Sequence, residues 1–410
     1  MGDIKDGGRF IVMGVPGRLD EPTREAIREI QPGGFILFGR NIGLPPIPDD
    51  AGVLGEPGSP EGLRAFIDEL RSLVDHEPVV TLDQEGGRVS RLRGLRGGAE
   101  PPSARSLAEK GSLALIERHG ALTGRLLRLF GFNLNLCPVL DVAYDHEADN
   151  SLKNRCYGVT PAEVSRNARA FARAMRAEGV LATGKHFPGY SRAAVDPHHD
   201  LPVVRRSRAE LAADEWIPFC ENLTEVDFIM TGHAFFPGLD ASGLPTSLSK
   251  GIVEDLLRRE LGFAGWVISD DLDMGAITRH KPLEEATRLA VEAGTDLLLL
   301  CHDVGRVRQA ARALAELPAA VLRRGAERLE KLRERLSPPA PFSLPAFEDV
   351  NRDIAGLRAE VLGPGAPPFT GGSGKVGAVE AAKLSPVNTV GDRAVGAPKE
   401  YSRRRAGRQV

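Results

Sequence analysis

The densest run of reactive side chains lies between Lys185 and Pro202: Lys185-His186-Phe187-Pro188-Gly189-Tyr190-Ser191-Arg192-Ala193-Ala194-Val195-Asp196-Pro197-His198-His199-Asp200-Leu201-Pro202. It holds one lysine, three histidines and two aspartates. The apolar Val180-Leu181-Ala182 ahead of it reads as a buried strand ending at Gly184, which puts the reactive groups in a loop at a strand end. Barrel and open-sheet enzymes carry their chemistry at such ends. Asp196 and His198 are two residues apart, and in a loop such a pair can face each other. A carboxylate bonded to an imidazole fixes its tautomer and raises its affinity for a proton, which makes a general acid/base unit. The same two residues could equally be a solvated loop pair with no role.

A second run, Gly265-Trp266-Val267-Ile268-Ser269-Asp270-Asp271-Leu272-Asp273-Met274, is apolar up to Ile268 and so places Asp270 at a strand exit, as a nucleophile or base. Asp271 and Asp273 read instead as acids at a helix start, favourable against its dipole. Asp83, Arg155 and Lys185 are groups of the kind that hold a hydroxylated ligand, because carboxylates and forked donors satisfy adjacent hydroxyls. Each could also pair structurally across strand ends. Arg88 and Arg91 read as surface pairs. A nucleophilic carboxylate with a separate acid/base at a sugar-binding mouth describes retaining glycoside hydrolysis. With histidine as acid/base, the imidazole must titrate near neutrality, and Asp196 would supply the upward shift.

These groups need elements to bring them together. Eight short β-type runs recur: Phe10 to Val15, Gly34 to Phe38, Val79 to Leu82, Phe132 to Leu136, Val180 to Gly184, Phe228 to Thr231, Trp266 to Ser269 and Asp296 to Leu300. Helical periodicity fills the gaps at Glu61 to Val74, Leu113 to Phe130, Pro161 to Glu178, Arg208 to Phe219, Ile252 to Glu260 and Leu283 to Ala293. Val304 to Leu336 is charged and helical and would complete an outer ring. This alternation predicts a (β/α)8 TIM-like barrel, a single catalytic domain whose strand ends all face one mouth. Residues 1–340 form the expected barrel, 341–363 a helical extension, and 364–410 a Gly/Pro-rich tail expected to be disordered. The Pro/Gly-rich stretch from Gly39 to Pro60 reads as a flap or an insertion.

Composition narrows the class. With 42% hydrophobic and 27% charged residues, a large core forms without staples. A net charge of −3 provides no field to gather nucleic acid or anionic membrane, so a small or neutral partner is expected. Cys137, Cys156, Cys220 and Cys301 are widely spaced and read as buried free thiols. With no leader pattern and no membrane-length apolar run, the expected setting is the cytoplasm and the expected state a monomer.

Taken together, Lys185-His186-Phe187-Pro188-Gly189, Asp196-x-His198 and Leu201-Pro202 resemble the signature of the glycoside hydrolase family 3 β-N-acetylglucosaminidases, the bacterial peptidoglycan-recycling type. The resemblance runs from about residue 8 to 340 and includes Asp83-Gln84-Glu85-Gly86-Gly87-Arg88-Val89, Arg155-Cys156-Tyr157-Gly158 and Ser269-Asp270-Asp271-Leu272-Asp273-Met274. It implies Asp270 as nucleophile, His198 as acid/base assisted by Asp196, and sugar-binding roles for Asp83, Arg155, Lys185 and His186. The implied substrate is a terminal β-linked N-acetylglucosamine on a 1,6-anhydro-N-acetylmuramic acid or muropeptide fragment. The implied mechanism is a covalent glycosyl-enzyme, and no metal or organic cofactor is implied. Two-domain relatives take their acid/base from a domain after the barrel; here a barrel loop must supply it.

The chain also departs from the family pattern. Gly189-Tyr190-Ser191-Arg192 stands where Gly-His-Gly-Asp is usual, and Pro197 replaces the usual serine between Asp196 and His198. These changes bear on loop motion and leaving-group preference. Three other readings stay open: an N-acetylglucosaminide phosphorylase, an aldolase forming a Schiff base on Lys185, and a non-catalytic sugar-binding barrel.

Overall fold

The computed structural model describes residues 2–17, 19–43, 58–144, 152–191 and 200–369. Eight parallel strands are arranged in the order β3-β2-β1-β8-β7-β6-β5-β4. They are β1 Ile11–Gly14, β2 Gly34–Ile36, β3 Val79–Thr81, β4 Leu134–Asn135, β5 Leu181–Phe187, β6 Phe228–Thr231, β7 Trp266–Asp271 and β8 Leu297–Leu300. Each lies on one of the eight apolar runs. Their residues are buried almost throughout, as parallel strands covered by helices must be.

The ends of this order meet. Asn133 N–H donates to the Val80 carbonyl and Leu136 N–H to that of Leu82, both at 3.1 Å. Side chains complete the seam where the short β4 offers little backbone. Asn133 accepts from Val80 N–H at 2.8 Å and donates to the Pro78 carbonyl at 2.9 Å. Asn135 does the same with the N–H and carbonyl of Gln84, both at 3.0 Å. Aspartates serve the same purpose elsewhere at the barrel floor. Asp227 accepts from Ala182 N–H and Asp296 from Val267 N–H, and arginines on the outer helices neutralise both.

Helices follow the strands around the outside, at Glu21–Ile30, Pro60–Ser72, Leu113–Phe130, Pro161–Ala177, Gly251–Glu260, Leu283–Glu292 and Val304–Ala315. Their ends are written in the sequence. Thr160 and Glu163 form a capping box ahead of Pro161, and Gly131, at φ +90°, closes the helix before β4. The helices Glu21–Ile30 and Ala104–Lys110 were not expected from the periodicity.

Four expectations need correction. The segment Arg208 to Phe219 forms two pieces, Arg208–Ala212 and Ile217–Cys220, because Pro218 has no N–H to continue the ladder and Glu215 and Trp216 turn inward. The helical stretch from Val304 is likewise interrupted before Ala319 by Pro318. Strand β5 runs on to Phe187, so Lys185 and His186 belong to the barrel wall rather than to the loop. Cys220 is exposed at the end of its short helix, while the other three thiols are buried and free.

Beyond the ring, Leu344–Leu362 forms a long helix. Residues 44–57 of the expected flap and residues 370–410 of the tail lie outside the described residues. Among the described residues no helix is long and apolar enough to cross a membrane.

The β3–β4 seam gives a test. Asn133→Ala leaves one backbone N–H and one carbonyl without a partner in the core. At about 1–3 kcal/mol each, the expected loss is roughly 2–6 kcal/mol, read as a lower denaturant midpoint with an unchanged slope.

Candidate active site

All eight strands are parallel, so the side chains at their C-terminal ends share one mouth. Lys185 is its most constrained member. Lys185 is 1% exposed, and its ammonium lies 2.7 Å from Asp83 Oδ1 and 2.7 Å from Glu85 Oε1. Glu85 in turn takes a two-point contact from Arg155, with Nε and one terminal nitrogen each at 2.8 Å. Arg91 approaches the second oxygen of Asp83 at 3.5 Å. The group joins the end of β3, the hairpin of Gln84–Gly86 with Val89–Ser90, the end of β5 and the turn Lys153–Arg155.

Electrostatics follow from this packing. Burial alone would raise the Glu85 carboxyl, but Arg155 and Lys185 outweigh it and hold it well below the usual carboxylate range. Asp83 is also raised by burial and lowered further by Lys185 and Arg91, with a net downward shift. Burial pulls Lys185 down, yet Asp83 and Glu85 hold it above the ordinary lysine value. It is therefore an ammonium with no lone pair for a carbonyl, which disfavours the Schiff-base reading.

His186 lies beside this group, also buried. Asp141, at the exit of β4, accepts from His186 Nδ1 at 2.7 Å, from His186 N–H at 3.0 Å and from Tyr190 N–H at 3.0 Å. A carboxylate acceptor assigns the hydrogen to Nδ1 and leaves Nε2 as the second functional edge. The Tyr190 ring stands 4.7 Å from the His186 ring, and Ser191 Oγ accepts from Val142 N–H at 3.0 Å. Two of the residues that depart from the family pattern thus fix the start of the loop.

Asp270 is half-buried within β7, and the N–H of Asp271 donates to its Oδ1 at 2.8 Å. His233, just past β6, lies with Nε2 2.9 Å from the Asp271 carbonyl and Nδ1 2.8 Å from Ser247 Oγ. The carbonyl can only accept, so Nε2 carries the hydrogen, and this histidine holds the backbone next to Asp270. Asp271 and Asp273 are not acids in a helix's first turn, since the next helix begins at Gly275. Asp271 faces His302 at 3.1 Å; Asp273 accepts from the N–H groups of Cys301 and His302 and pairs with Arg306 at 2.6 Å. They fasten the end of β7 to the segment after β8.

Asp83, Lys185, His186 and Asp270 thus come from β3, β5 and β7 onto one mouth, and Arg155 joins them through Glu85. Asp196 and His198 lie outside the described residues. Arg91 is not a surface pair, because it is turned toward Asp83. The sequence reading overlooked Glu85, although its two-residue spacing from Asp83 was a signal for one shared face. Asp141 and His233 stood out only as polar residues at strand ends, without a role, because their partners are distant in the chain.

The charge group predicts a pH dependence. Glu85→Gln removes one member of a buried ionic set and is expected to cost about 3–5 kcal/mol at pH 7. A carboxyl whose folded pKa is depressed stabilises above its unfolded value, and that contribution is lost as pH falls through the folded one. Denaturant midpoints of wild type and variant should therefore converge as pH falls below about 4. A gap that stayed constant down to pH 3 would contradict the assignment.

The comparisons with known proteins agree with this geometry. Residues 7–332 match the model of the glycosyl hydrolase family 3 N-terminal domain. A β-hexosaminidase of Pseudomonas aeruginosa is 33% identical over 309 residues, covering 75% of this chain and 83% of that protein. One from Methylococcus capsulatus is 35% identical over 287 residues, covering 70% and 80%. Among solved structures, a glycoside hydrolase family 3 β-N-acetylglucosaminidase from Paenibacillus superposes with a TM-score of 0.75 at 29% identity, covering 87% of this chain and 69% of that one. NagZ from Neisseria gonorrhoeae, solved in complex with N-trifluoroacetyl-D-glucosamine, does so with a TM-score of 0.68 at 26% identity, covering 85% and 97%. This chain belongs to glycoside hydrolase family 3 and is similar to that family's β-hexosaminidases.

Proposed function

We propose that this chain is a retaining β-N-acetylglucosaminidase that removes a terminal, non-reducing β-linked N-acetylglucosamine from peptidoglycan fragments in the cytoplasm. The observation that carries the reading is the pairing of Asp270, at the exit of β7, with the Lys185–Asp83 group on the same mouth of a family 3 barrel. An ammonium has three N–H donors, and Asp83 and Glu85 take two of them. A sugar hydroxyl is a natural acceptor for the third, with Asp83, Arg155 and His186 completing the binding set.

In this reading the Asp270 carboxylate attacks the anomeric carbon as the glycosidic bond breaks. The departing oxygen takes its proton from the imidazolium of His198, which Asp196 assists. A glycosyl ester remains on Asp270. Water then attacks the same carbon while neutral His198 accepts a proton, and the sugar leaves with its original configuration. The NagZ complex with N-trifluoroacetyl-D-glucosamine supports an N-acylated glucosamine at the site, and the muropeptide or 1,6-anhydro-muramyl aglycone follows from the sequence resemblance.

Hydrolysis of the disaccharide N-acetylglucosaminyl-1,6-anhydro-N-acetylmuramic acid, followed by mass analysis, tests substrate and reaction together. Free N-acetylglucosamine in phosphate buffer is the expected product; its 1-phosphate would assign phosphorolysis instead. Asp270→Ala should lower kcat on 4-nitrophenyl N-acetyl-β-glucosaminide on the order of 10⁴-fold or more, and near-wild-type turnover would remove the proposed nucleophile. His198→Ala should slow the disaccharide by about 10²–10⁴-fold and the nitrophenyl substrate far less, because a good leaving group needs little protonation. Equal losses on both substrates would rule out His198 as the acid.

A further inference from the structure

The family match ends at residue 332, yet the chain continues into the ordered helix Leu344–Leu362. This helix lies along Leu113–Phe130, where Phe347 meets Phe130 edge-on at 5.8 Å and Arg118 pairs with Glu360 at 3.0 Å. Its polar side chains reach further. Asn351, 5% exposed, accepts from Ala99 N–H at 2.7 Å and donates to the Phe347 carbonyl at 2.8 Å. Arg358 lies 3.2 Å from Glu100, which also takes Arg93 at 3.0 Å and the Phe369 N–H at 3.1 Å.

Residues 99–101 in turn support the sugar-site hairpin. The Pro101 carbonyl accepts from Gly87 N–H at 3.0 Å. The contact is too close for side chains, since a Cβ on Gly86 would sit 2.3 Å from the Pro102 carbonyl and one on Gly87 2.6 Å from Ser103 Cβ. Both glycines have positive φ, where the backbone is most permissive, so the segment packed against them limits the shapes the turn can take. Immediately before the turn stand Asp83 and Glu85; just after it stands Arg91, whose partner is Asp83. Between Arg91 and Ala104 the only regular element is the single turn Leu92–Gly94.

We propose that the C-terminal helix is a positioning element for the sugar site: through Asn351 and Arg358 it fixes residues 99–101, which clamp the Gly86–Gly87 turn and so set Asp83, Glu85 and Arg91 around Lys185. The assignment of those groups to a sugar rests on the function proposed above. Asn351 and Arg358 touch no substrate, so their effect falls on binding geometry and not on the chemical step. A barrel that ends near residue 332 would have to hold the same turn by other contacts.

The test uses full-length Asn351→Ala, Arg358→Ala, Arg358→Lys and, as a control on the same helix, Arg352→Ala, which loses only an exposed pair with Asp349. Arg358→Ala and Asn351→Ala should raise KM for 4-nitrophenyl N-acetyl-β-glucosaminide by about 3- to 30-fold with kcat within about twofold. Arg358→Lys should fall between, and Arg352→Ala should match wild type. Amide exchange at Gly87 and Leu92 should quicken by about tenfold in the two alanine variants. Unchanged KM, or faster exchange confined to residues 97–100 and 344–369, would overturn the proposal and leave the helix a local strap. A wild type that does not turn over the substrate would refute the hydrolase reading alone, because the exchange measurement still decides whether the helix holds the hairpin.

Discussion

A buried ammonium held between two carboxylates is the constraint on which the mouth of this barrel depends. Lys185 cannot stay charged at 1% exposure unless the cost of leaving water is met by close opposite charge. Asp83 and Glu85 meet it, but two carboxylates on one lysine would leave a net negative charge in the wall. Arg155 offsets that charge, with its planar fork matched to both Glu85 oxygens, and Arg91 adds a weaker contact to Asp83. The set balances only when β3, the hairpin after it, β5 and the turn before Pro161 are all in place. An electrostatic requirement thus becomes a geometric one, and Asp83 and Lys185 are held in place by the fold itself.

This explains which features were legible in the sequence. Eight apolar runs bounded by polar clusters were enough for the barrel, because each parallel strand must be hydrophobic on both faces. The outer ring was less readable where short helices carry little periodicity, as at Ala104–Lys110. Strand β5 was cut short because Lys185 and His186 looked like the end of a buried element. A charged residue marks a strand exit only if it goes unpaired, and its partners sit about a hundred residues earlier in the chain. Asp83, Lys185, Arg155 and Asp270 stood out as single functional groups at strand ends. Glu85, Asp141 and His233 were visible as polar residues at strand ends but their roles were not, because each acts by holding another residue, which composition cannot reveal.

The same distinction runs through the rest of the mouth. Asp141 spends its carboxylate on His186 and on the backbone at His186 and Tyr190, and His233 spends a ring nitrogen on the Asp271 carbonyl. Neither has to meet a ligand. Each takes up backbone groups that a strand end leaves unpaired, and so removes freedom from the side chain beside it. Asp227, Asp296 and Asn133 perform the equivalent task at the opposite end of the barrel. Polar side chains replace missing ladder bonds at both ends, but only at the mouth does the replacement also aim a reactive group.

The described residues on either side of 192–199, the segment proposed to carry the acid/base, are fastened to the barrel wall. Before it, Tyr190 and Ser191 are tied to Asp141 and Val142. After it, Asp200 lies 2.8 Å from His280, and Phe235 N–H donates to the Pro202 carbonyl at 2.8 Å. His280 follows the short helix after β7, the strand that carries Asp270, so this second flank is joined to the segment that follows Asp270. Both flanks of residues 192–199 are thus fixed to the wall, one beside His186 and the other beside the strand that carries Asp270.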